Sequence, residues 1–305
     1  MGVDLRFFGV FFCVLWLALP IFGMTGGESL DLFSVGFAAA DMSLAESTAS
    51  KRHNPFGGFY NPATLPLQPT VSLYSSQGKL ADQVDVFSLT TLFSLWEYPV
   101  SLTWVQIQAG DIPLVASENV GENTDIDPDS FAHYGAQGLV VATSVAIAQD
   151  WSLGLSVIGY TKALSTVSAG QAYGYAVTPG LSGALGSEWT VGTYFRNLFS
   201  QETWATATTA QFLPEWHTGL SYDNGFLTLL GEWVVLPKSA YSGYGKMGAV
   251  VSFGEILFVR AGCQQSHINA GLGIQWGGVS VDYVFVGSSD QRFGESSRFS
   301  IGVVL

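Results

Sequence analysis

The chain has 305 residues, of which 11% are charged and 14% are aromatic, and its formal net charge is −13. Soluble domains carry about 25% charged residues, so this chain has few groups to cover a water-facing surface. An acidic chain without a basic patch should repel nucleic acid, and we therefore expect no nucleic-acid partner.

The first 23 residues have the features of a secretory signal. Arg6 lies in a short N-terminal region, and an apolar run follows it. We predict that this segment directs export; a retained N-terminal anchor helix is the alternative. Cleavage would remove Cys13 and leave Cys263 as the only cysteine, so no internal disulfide is expected.

Beyond residue 23, no run approaches the roughly 18 consecutive apolar residues that a spanning helix needs. An apolar chain without such helices can still satisfy every backbone amide in lipid as a closed β-barrel. A soluble exported β-sandwich is the alternative, but its open edges and apolar exterior disfavour it.

Alternating side chains support the barrel. From about residue 70, segments of about ten residues place bulky apolar groups on one face and small or polar groups on the other. For example, Phe299 and Ile301 alternate with Ser300 and Gly302. We predict an all-β, transmembrane antiparallel barrel of about 14 strands, at residues 70–76, 83–92, 98–109, 134–148, 151–162, 173–184, 189–198, 212–222, 226–236, 246–253, 256–264, 267–276, 279–286 and 297–305.

One predicted strand changes phase. Leu102 and Trp104 share one face, whereas Val105 and Ile107 continue the apolar pattern on the other. We predict an extra residue or kink at Trp104 and Val105. The alternative is a strand that is apolar on both faces.

A proline-rich stretch, Phe59-Tyr-Asn-Pro-Ala-Thr-Leu-Pro66, precedes the first predicted strand. Proline restricts both its own backbone and that of the residue before it, so the stretch should be stiff. Its core motif is Tyr60, Asn61, Pro62 and Ala63. An ordinary turn before a strand is the alternative explanation.

Residues 32–66 resemble the N-terminal segment of the long-chain fatty acid transporter (FadL) family of bacterial outer-membrane barrels. The resemblance rests on a small-residue run, a polar segment and the Tyr-Asn-Pro-Ala motif. It implies a signal peptide over 1–23, a hatch that plugs the barrel over 24–68, and a 14-stranded barrel over 69–305. Because a plug cannot take its shape from strand pairing, we expect its prolines to stiffen it and residues 61–64, Asn-Pro-Ala-Thr, to anchor it to the wall.

The same resemblance implies a function. Members of the FadL family move hydrophobic compounds across the outer membrane, so we expect a hydrophobic, fatty acid-like ligand and contact with outer-membrane lipid. The related PorV group instead acts with secretion systems. A non-transporting barrel that binds envelope or secreted proteins is therefore the alternative.

Several charged residues should project into the lumen, because charge is costly on a lipid-facing surface and tolerated inside. A fatty-acid carboxylate would need a cation, which Arg196 or Arg260 could supply. Alternatively, these arginines pair with Glu232 and Asp282 and hold plug and wall together. The candidate lumen residues are Arg196, His217, Glu232, Arg260, Asp282 and Arg298.

The sequence contains no recognisable catalytic constellation, and we expect neither enzymatic activity nor a cofactor. The acidic segment 111–129 offers a weak calcium candidate in Asp125, Asp127 and Asp129. It lacks the glycine and terminal glutamate of an EF-hand loop. A solvated external loop is the alternative.

Overall fold

The structure is a computed structural model that describes residues 32, 35–80, 83–114, 130–165, 170–236, 243–264, 267–287 and 296–305. The predicted signal peptide and the calcium candidates Asp125, Asp127 and Asp129 lie outside these residues. Within them are a short α-helix, α1 (Ala39–Met42), and a 3-10 helix (Pro62–Thr64). Neither of these helices is long and apolar enough to cross a bilayer.

The described residues form sixteen β-strands: β1 (Ser72–Leu80), β2 (Val84–Leu95), β3 (Tyr98–Leu114), β4 (Ser130–Ala148), β5 (Trp151–Leu164), β6 (Gln171–Ala184), β7 (Trp189–Arg196), β8 (Phe199–Trp204), β9 (Thr209–Ala210), β10 (Glu215–Asp223), β11 (Leu227–Val235), β12 (Tyr244–Phe253), β13 (Leu257–Gln264), β14 (His267–Trp276), β15 (Val279–Gly287) and β16 (Ser296–Val304).

These strands build a closed antiparallel barrel of 14 wall strands, as the alternation predicted. Each wall strand pairs with its neighbours, β1 pairs with β16, and β5 pairs with β6 to complete the ring. The β8–β9 hairpin, which the sequence did not predict, adds to β6. Strands β7 and β8 both pair with β6, and Asn197 lies between them in the sequence. The positive φ of Asn197, 54°, separates what would otherwise be one continuous strand.

The outer surface of the barrel is apolar. Phe299 and Ile301 are each 41% exposed, whereas the intervening Ser300 is 4% exposed. Bulky apolar groups therefore point away from the lumen, and small or polar groups point into it, which is the alternation expected of a barrel in lipid.

Strand β3 runs without a kink through Trp104 and Val105, so that prediction is wrong. It pairs in unbroken register with β2 and β4 there, and the only register shift in its pairing with β4 lies between Ala109 and Ile112. Val105 and Ile107 point inward and are fully buried. The strand is apolar on both faces because its inner face packs against another part of the chain.

That other part is the N-terminal segment, described at residues 32 and 35–70, which runs along the inner face of the wall. Its backbone is tied to wall side chains by hydrogen bonds. The amide of Ala39 donates to Ser300 Oγ at 2.9 Å, and Ser152 Oγ donates to the carbonyl of Ala63 at 2.7 Å.

Glycines in the wall allow this close approach. A Cβ atom added to any of them would meet atoms of the N-terminal segment at less than normal contact distance. Because larger residues would push the segment away, the inward glycines fix how closely it packs. These glycines are Gly154, Gly180, Gly192, Gly219, Gly248, Gly262 and Gly271.

Candidate functional site

Inward side chains of β2 to β6 form an apolar chamber inside the barrel. The lumen of outer-membrane barrels is ordinarily polar, so a buried apolar surface at this position is unusual. We use the name apolar chamber for the side chains of Val86, Val105, Ile107, Ala136, Val140, Ile158, Tyr160 and Ala176.

Side chains from the start of the described chain fill the chamber. Leu32 is 0% exposed, Val35 3% and Phe37 2%, and all three belong to the same packed cluster as the chamber wall. The Phe37 ring packs edge-on against Phe59, with centroids 4.7 Å apart. The chamber therefore holds hydrocarbon groups of this chain, and another hydrophobic molecule would have to take their place.

A buried ion pair lies at the margin of the chamber. Lys162 Nζ is 2.7 Å from Glu202 Oε2, and the hydroxyl of Tyr160 donates to the same oxygen at 3.0 Å. Lys162 Nζ also lies 4.9 Å from the ring centroid of Phe212. Both charges are thus neutralised within the protein.

A second group of side chains, on β7, β10, β11 and β12, forms a charged cluster, which we define as Arg196, Glu215, His217, Glu232 and Lys246. The imidazole of His217 lies between two carboxylates, with Nδ1 2.7 Å from Glu232 Oε1 and Nε2 2.9 Å from Glu215 Oε2. Lys246 Nζ is 3.6 Å from Glu232, and Arg196 Nη1 is 3.5 Å from Glu215.

The charged cluster holds the N-terminal segment. Glu232 Oε2 accepts a hydrogen bond from the backbone amide of Ala49 at 2.8 Å. The carbonyl of the same Ala49 accepts from Asn61 Nδ2 at 2.6 Å. Because each group has a directional partner, the cluster fixes the position of residue 49 against the wall.

The Tyr60-Asn61-Pro62-Ala63 motif contacts the wall directly. Asn61 Oδ1 accepts from the amide of Ala63, which starts the 3-10 helix, and Asn61 Nδ2 also donates to the carbonyl of Leu181 in β6 at 3.3 Å. The hydroxyl of Tyr60 donates to Glu46 Oε1 at 3.2 Å. Burial, together with the Glu46 carboxylate, raises the pKa of Tyr60 well above its usual value, so the hydroxyl keeps its proton.

All six lumen candidates from the sequence lie inside the barrel, but they do not form one site. Arg196, His217 and Glu232 meet in the charged cluster, whereas Arg260 pairs separately with Asp282, Nη1 to Oδ1 at 2.6 Å. Arg298 lies apart from both groups and is 1% exposed. Arg196 and Arg260 therefore have carboxylate partners within the protein, although the partner of Arg196 is Glu215.

Glu215, Lys246 and the apolar chamber were not predicted from the sequence. The two charged residues carried a usable signal, because Glu215 shares the inward face of its strand with His217, and Lys246 lies opposite Glu232 in the β11–β12 pairing. The chamber gave only an ambiguous signal, the apolar run at Val105 and Ile107 that suggested a kink.

Comparison with known proteins gives fold similarity without sequence similarity. No family model matches the sequence, and no curated protein matches it. Among solved structures, the Pseudomonas putida toluene transporter TodX has a TM-score of 0.62 at 11% identity, covering 93% of this chain and 98% of that one. The CymD monoaromatic hydrocarbon channel has a TM-score of 0.61 at 11% identity, covering 88% and 96%.

A Pseudomonas aeruginosa FadL homologue has a TM-score of 0.55 at 10% identity, covering 87% of this chain and 97% of that one. At such low identity, these similarities show a shared barrel fold. They agree with the resemblance to the FadL family found at the N-terminal motif.

Proposed function

We propose that this protein is an outer-membrane channel for the uptake of hydrophobic small molecules. The observation that carries the proposal is the apolar chamber, a buried cluster of hydrocarbon side chains on the inner wall of a closed barrel. Its walls can bind apolar molecules through the hydrophobic effect, worth about 25 cal/mol per Å² of buried apolar surface. The side chains of Leu32, Val35 and Phe37 occupy the position that such a ligand would take.

The outer surface of the barrel supports a location in a membrane. On β3 and β4 the outward pair Trp104–Leu139 is apolar, whereas the next outward pair towards the end of β3 is Gln106–Gln137. That second row continues to Thr161 on β5, and on β2 it stays apolar at Phe87. A change from apolar to polar side chains between neighbouring rows is expected where the barrel wall leaves the hydrocarbon core of a membrane.

Aromatic side chains at two levels support the same location. On β7, Trp189 and Phe195 both point outward and are separated by about 20 Å of strand. Trp189 packs on Tyr222 at 5.0 Å, and Phe195 stacks on Trp216 at 5.8 Å. Paired aromatic belts of this kind flank the apolar band of outer-membrane barrels.

The hatch and the ligand are parts of the same proposal. We assign the hatch role to the N-terminal segment, because it crosses the lumen against the wall and would have to yield space to a ligand. The structural neighbours TodX and CymD are named as toluene and monoaromatic hydrocarbon channels. Long-chain fatty acids are the ligand expected from the resemblance to the FadL family, and both classes fit an apolar chamber.

Uptake by cells tests the proposal. The protein would be expressed in a Gram-negative host that lacks such a channel, and accumulation of radiolabelled hexadecanoate and toluene would be measured. We expect faster accumulation of at least one compound than in cells with an empty vector. No increase for either compound, together with a stoichiometric protein partner on purification, would instead favour the partner-binding alternative.

Two neighbouring positions on β4 provide a matched pair of variants. Ala136→Phe adds a ring inside the chamber, whereas Gly135→Phe adds the same ring at a position with no atom within 4 Å of an added Cβ. The added ring takes the position that a ligand would occupy once Phe37 is displaced, so uptake should fall about tenfold. The Gly135 variant should transport normally, and an equal loss in both variants would exclude the chamber as the binding site.

A further inference from the structure

Arg298 is a buried cation without an ion-pair partner among the residues that the structure describes. Its side chain projects from β16 into the lumen, and the residue is 1% exposed. Nε donates to the carbonyl of Gly36 at 3.3 Å, but Nη1 and Nη2 are buried without a hydrogen-bond partner. Within the described residues, no carboxylate lies in ion-pair contact with this guanidinium.

The other buried cations of the wall are different. Lys162, Arg196, Lys246 and Arg260 each lie within 4 Å of a carboxylate. Burying a charge without a partner is strongly unfavourable, so an unpaired guanidinium requires an explanation. The glutamate near it in the N-terminal segment, Glu46, instead accepts the hydrogen bond from Tyr60.

Arg298 adjoins the apolar chamber. In the sheet, Gly78 lies directly between Arg298 and the chamber residue Val86, so no side chain separates the two on the inner face. Gly36, whose carbonyl binds Arg298, lies between Val35 and Phe37, the side chains that fill the chamber.

These contacts place a free cation at the edge of an apolar space. A guanidinium binds a carboxylate through two parallel hydrogen bonds, which suits the two unpaired nitrogens of Arg298. A ligand that displaced Val35 and Phe37 would also move Gly36 and release Nε. The position therefore suits a molecule with a hydrocarbon body and one anionic end.

We propose that Arg298 binds the carboxylate of an amphipathic acid whose hydrocarbon part occupies the apolar chamber. This inference rests on the proposed function. It makes Arg298 a specificity-determining residue that favours acids over neutral hydrocarbons, the ligand class named for TodX and CymD.

Equilibrium binding of two probes of equal chain length tests the proposal. Radiolabelled hexadecanoate and 1-hexadecanol would be titrated against the full protein immobilised in a neutral detergent. We expect the acid to bind at least about tenfold more tightly than the alcohol, as one charged hydrogen-bonding contact provides. Arg298→Gln should abolish that preference by weakening acid binding and should leave alcohol binding unchanged.

Arg260→Gln is the matched control, because Arg260 already pairs with Asp282; it should keep the preference. Arg298→Lys should keep part of the preference, since the charge is retained without the bidentate geometry. In the absence of ligand, the thermal midpoint of Arg298→Gln should equal or exceed that of the unmodified protein, because an unpaired buried charge is removed. A clear fall in that midpoint would indicate a structural role and overturn the proposal.

The outcomes separate this inference from the proposed function. Equal affinity for the acid and the alcohol in the unmodified protein would overturn the role of Arg298 and leave hydrophobic binding intact. Binding of neither probe would overturn both. A preference that persists in Arg298→Gln would show that another cation binds the carboxylate.

Discussion

The two sides of the lumen hold the N-terminal segment by different kinds of contact. On the β2–β6 side, Leu32, Val35 and Phe37 pack against the apolar chamber through non-directional contacts. On the side of β7 and β10–β12, Glu232 binds the amide of Ala49 within a network of paired charges. A hydrophobic ligand can replace the first kind of contact but not the second.

This difference suggests that two parts of the N-terminal segment behave differently when a ligand binds. On the proposed function, Leu32, Val35 and Phe37 would leave the chamber when a ligand enters, because the ligand would restore the buried apolar surface. Residues 39–65 should stay in place, because breaking their hydrogen bonds would leave buried polar groups without partners. Four predictions test this comparison.

The largest effect is expected on the charged side, for Glu232→Ala. The substitution removes the acceptor for Ala49 and leaves Lys246 as a buried cation without its partner. Loss of one member of a buried pair costs about 3–5 kcal/mol. The free energy of unfolding, measured by urea titration in lipid vesicles, should fall by that amount.

The double variant Glu232→Ala with Lys246→Met provides the control. It removes both charges, so it should recover more than half of the lost stability. A loss below about 1 kcal/mol in the single variant would show that the charged cluster does not anchor the segment.

A smaller effect is expected where the segment touches the wall on this side. A Cβ atom at Gly192 would overlap the carbonyl of Ala49, whereas one at Gly159 would meet nothing within 4 Å. Gly192→Val should therefore reduce the free energy of unfolding by about 1–3 kcal/mol through overpacking. Valine favours strands, so Gly159→Val should cost nothing, and equal losses would contradict the close packing of segment and wall.

On the apolar side, removing a side chain that fills the chamber should strengthen ligand binding. Phe37→Ala removes a ring from the chamber that a ligand would otherwise have to displace. We expect the affinity for 1-hexadecanol to rise about tenfold, within the range set by burial of one large apolar side chain. Phe56→Ala, which alters a contact with Tyr74 outside the chamber, should leave the affinity unchanged. An unchanged affinity in Phe37→Ala would mean that ligand binds elsewhere.

The sequence predicted the wall of the barrel better than its contents. A period of two determines which face a side chain takes, so the 14 wall strands and the inward position of Arg298 followed from alternation alone. It does not determine which residues meet across strands. The pairing of Lys246 with Glu232 depends on the register of β11 and β12, which is set by strand and loop geometry.

The apolar chamber could not be predicted from the sequence for a related reason. Inward apolar residues such as Val105 and Ile107 look like a phase error in a strand whose inner face should be polar. They make physical sense only once the N-terminal segment is known to cover them. The β8–β9 hairpin escaped prediction because the break at Asn197 is set by a local left-handed backbone conformation, with no glycine or proline to signal it.

The smallest effect should come from tethering the part of the segment that is predicted to stay. A Cβ atom at Gly58 would lie 3.4 Å from Ser101 Cβ, near the usual separation in disulfides, and 2.9 Å from Ala142 Cβ. Gly58→Cys with Ser101→Cys, in a chain that also carries Ala142→Gly and Cys263→Ser, should therefore form a reducible bridge between segment and wall. Hexadecanoate uptake should differ by less than about twofold between the oxidised and reduced forms, whereas Ala136→Phe should lower it in both. Uptake that returns only on reduction would show that residues near 58 must move with those near 37, and the two sides of the lumen would then act as one unit.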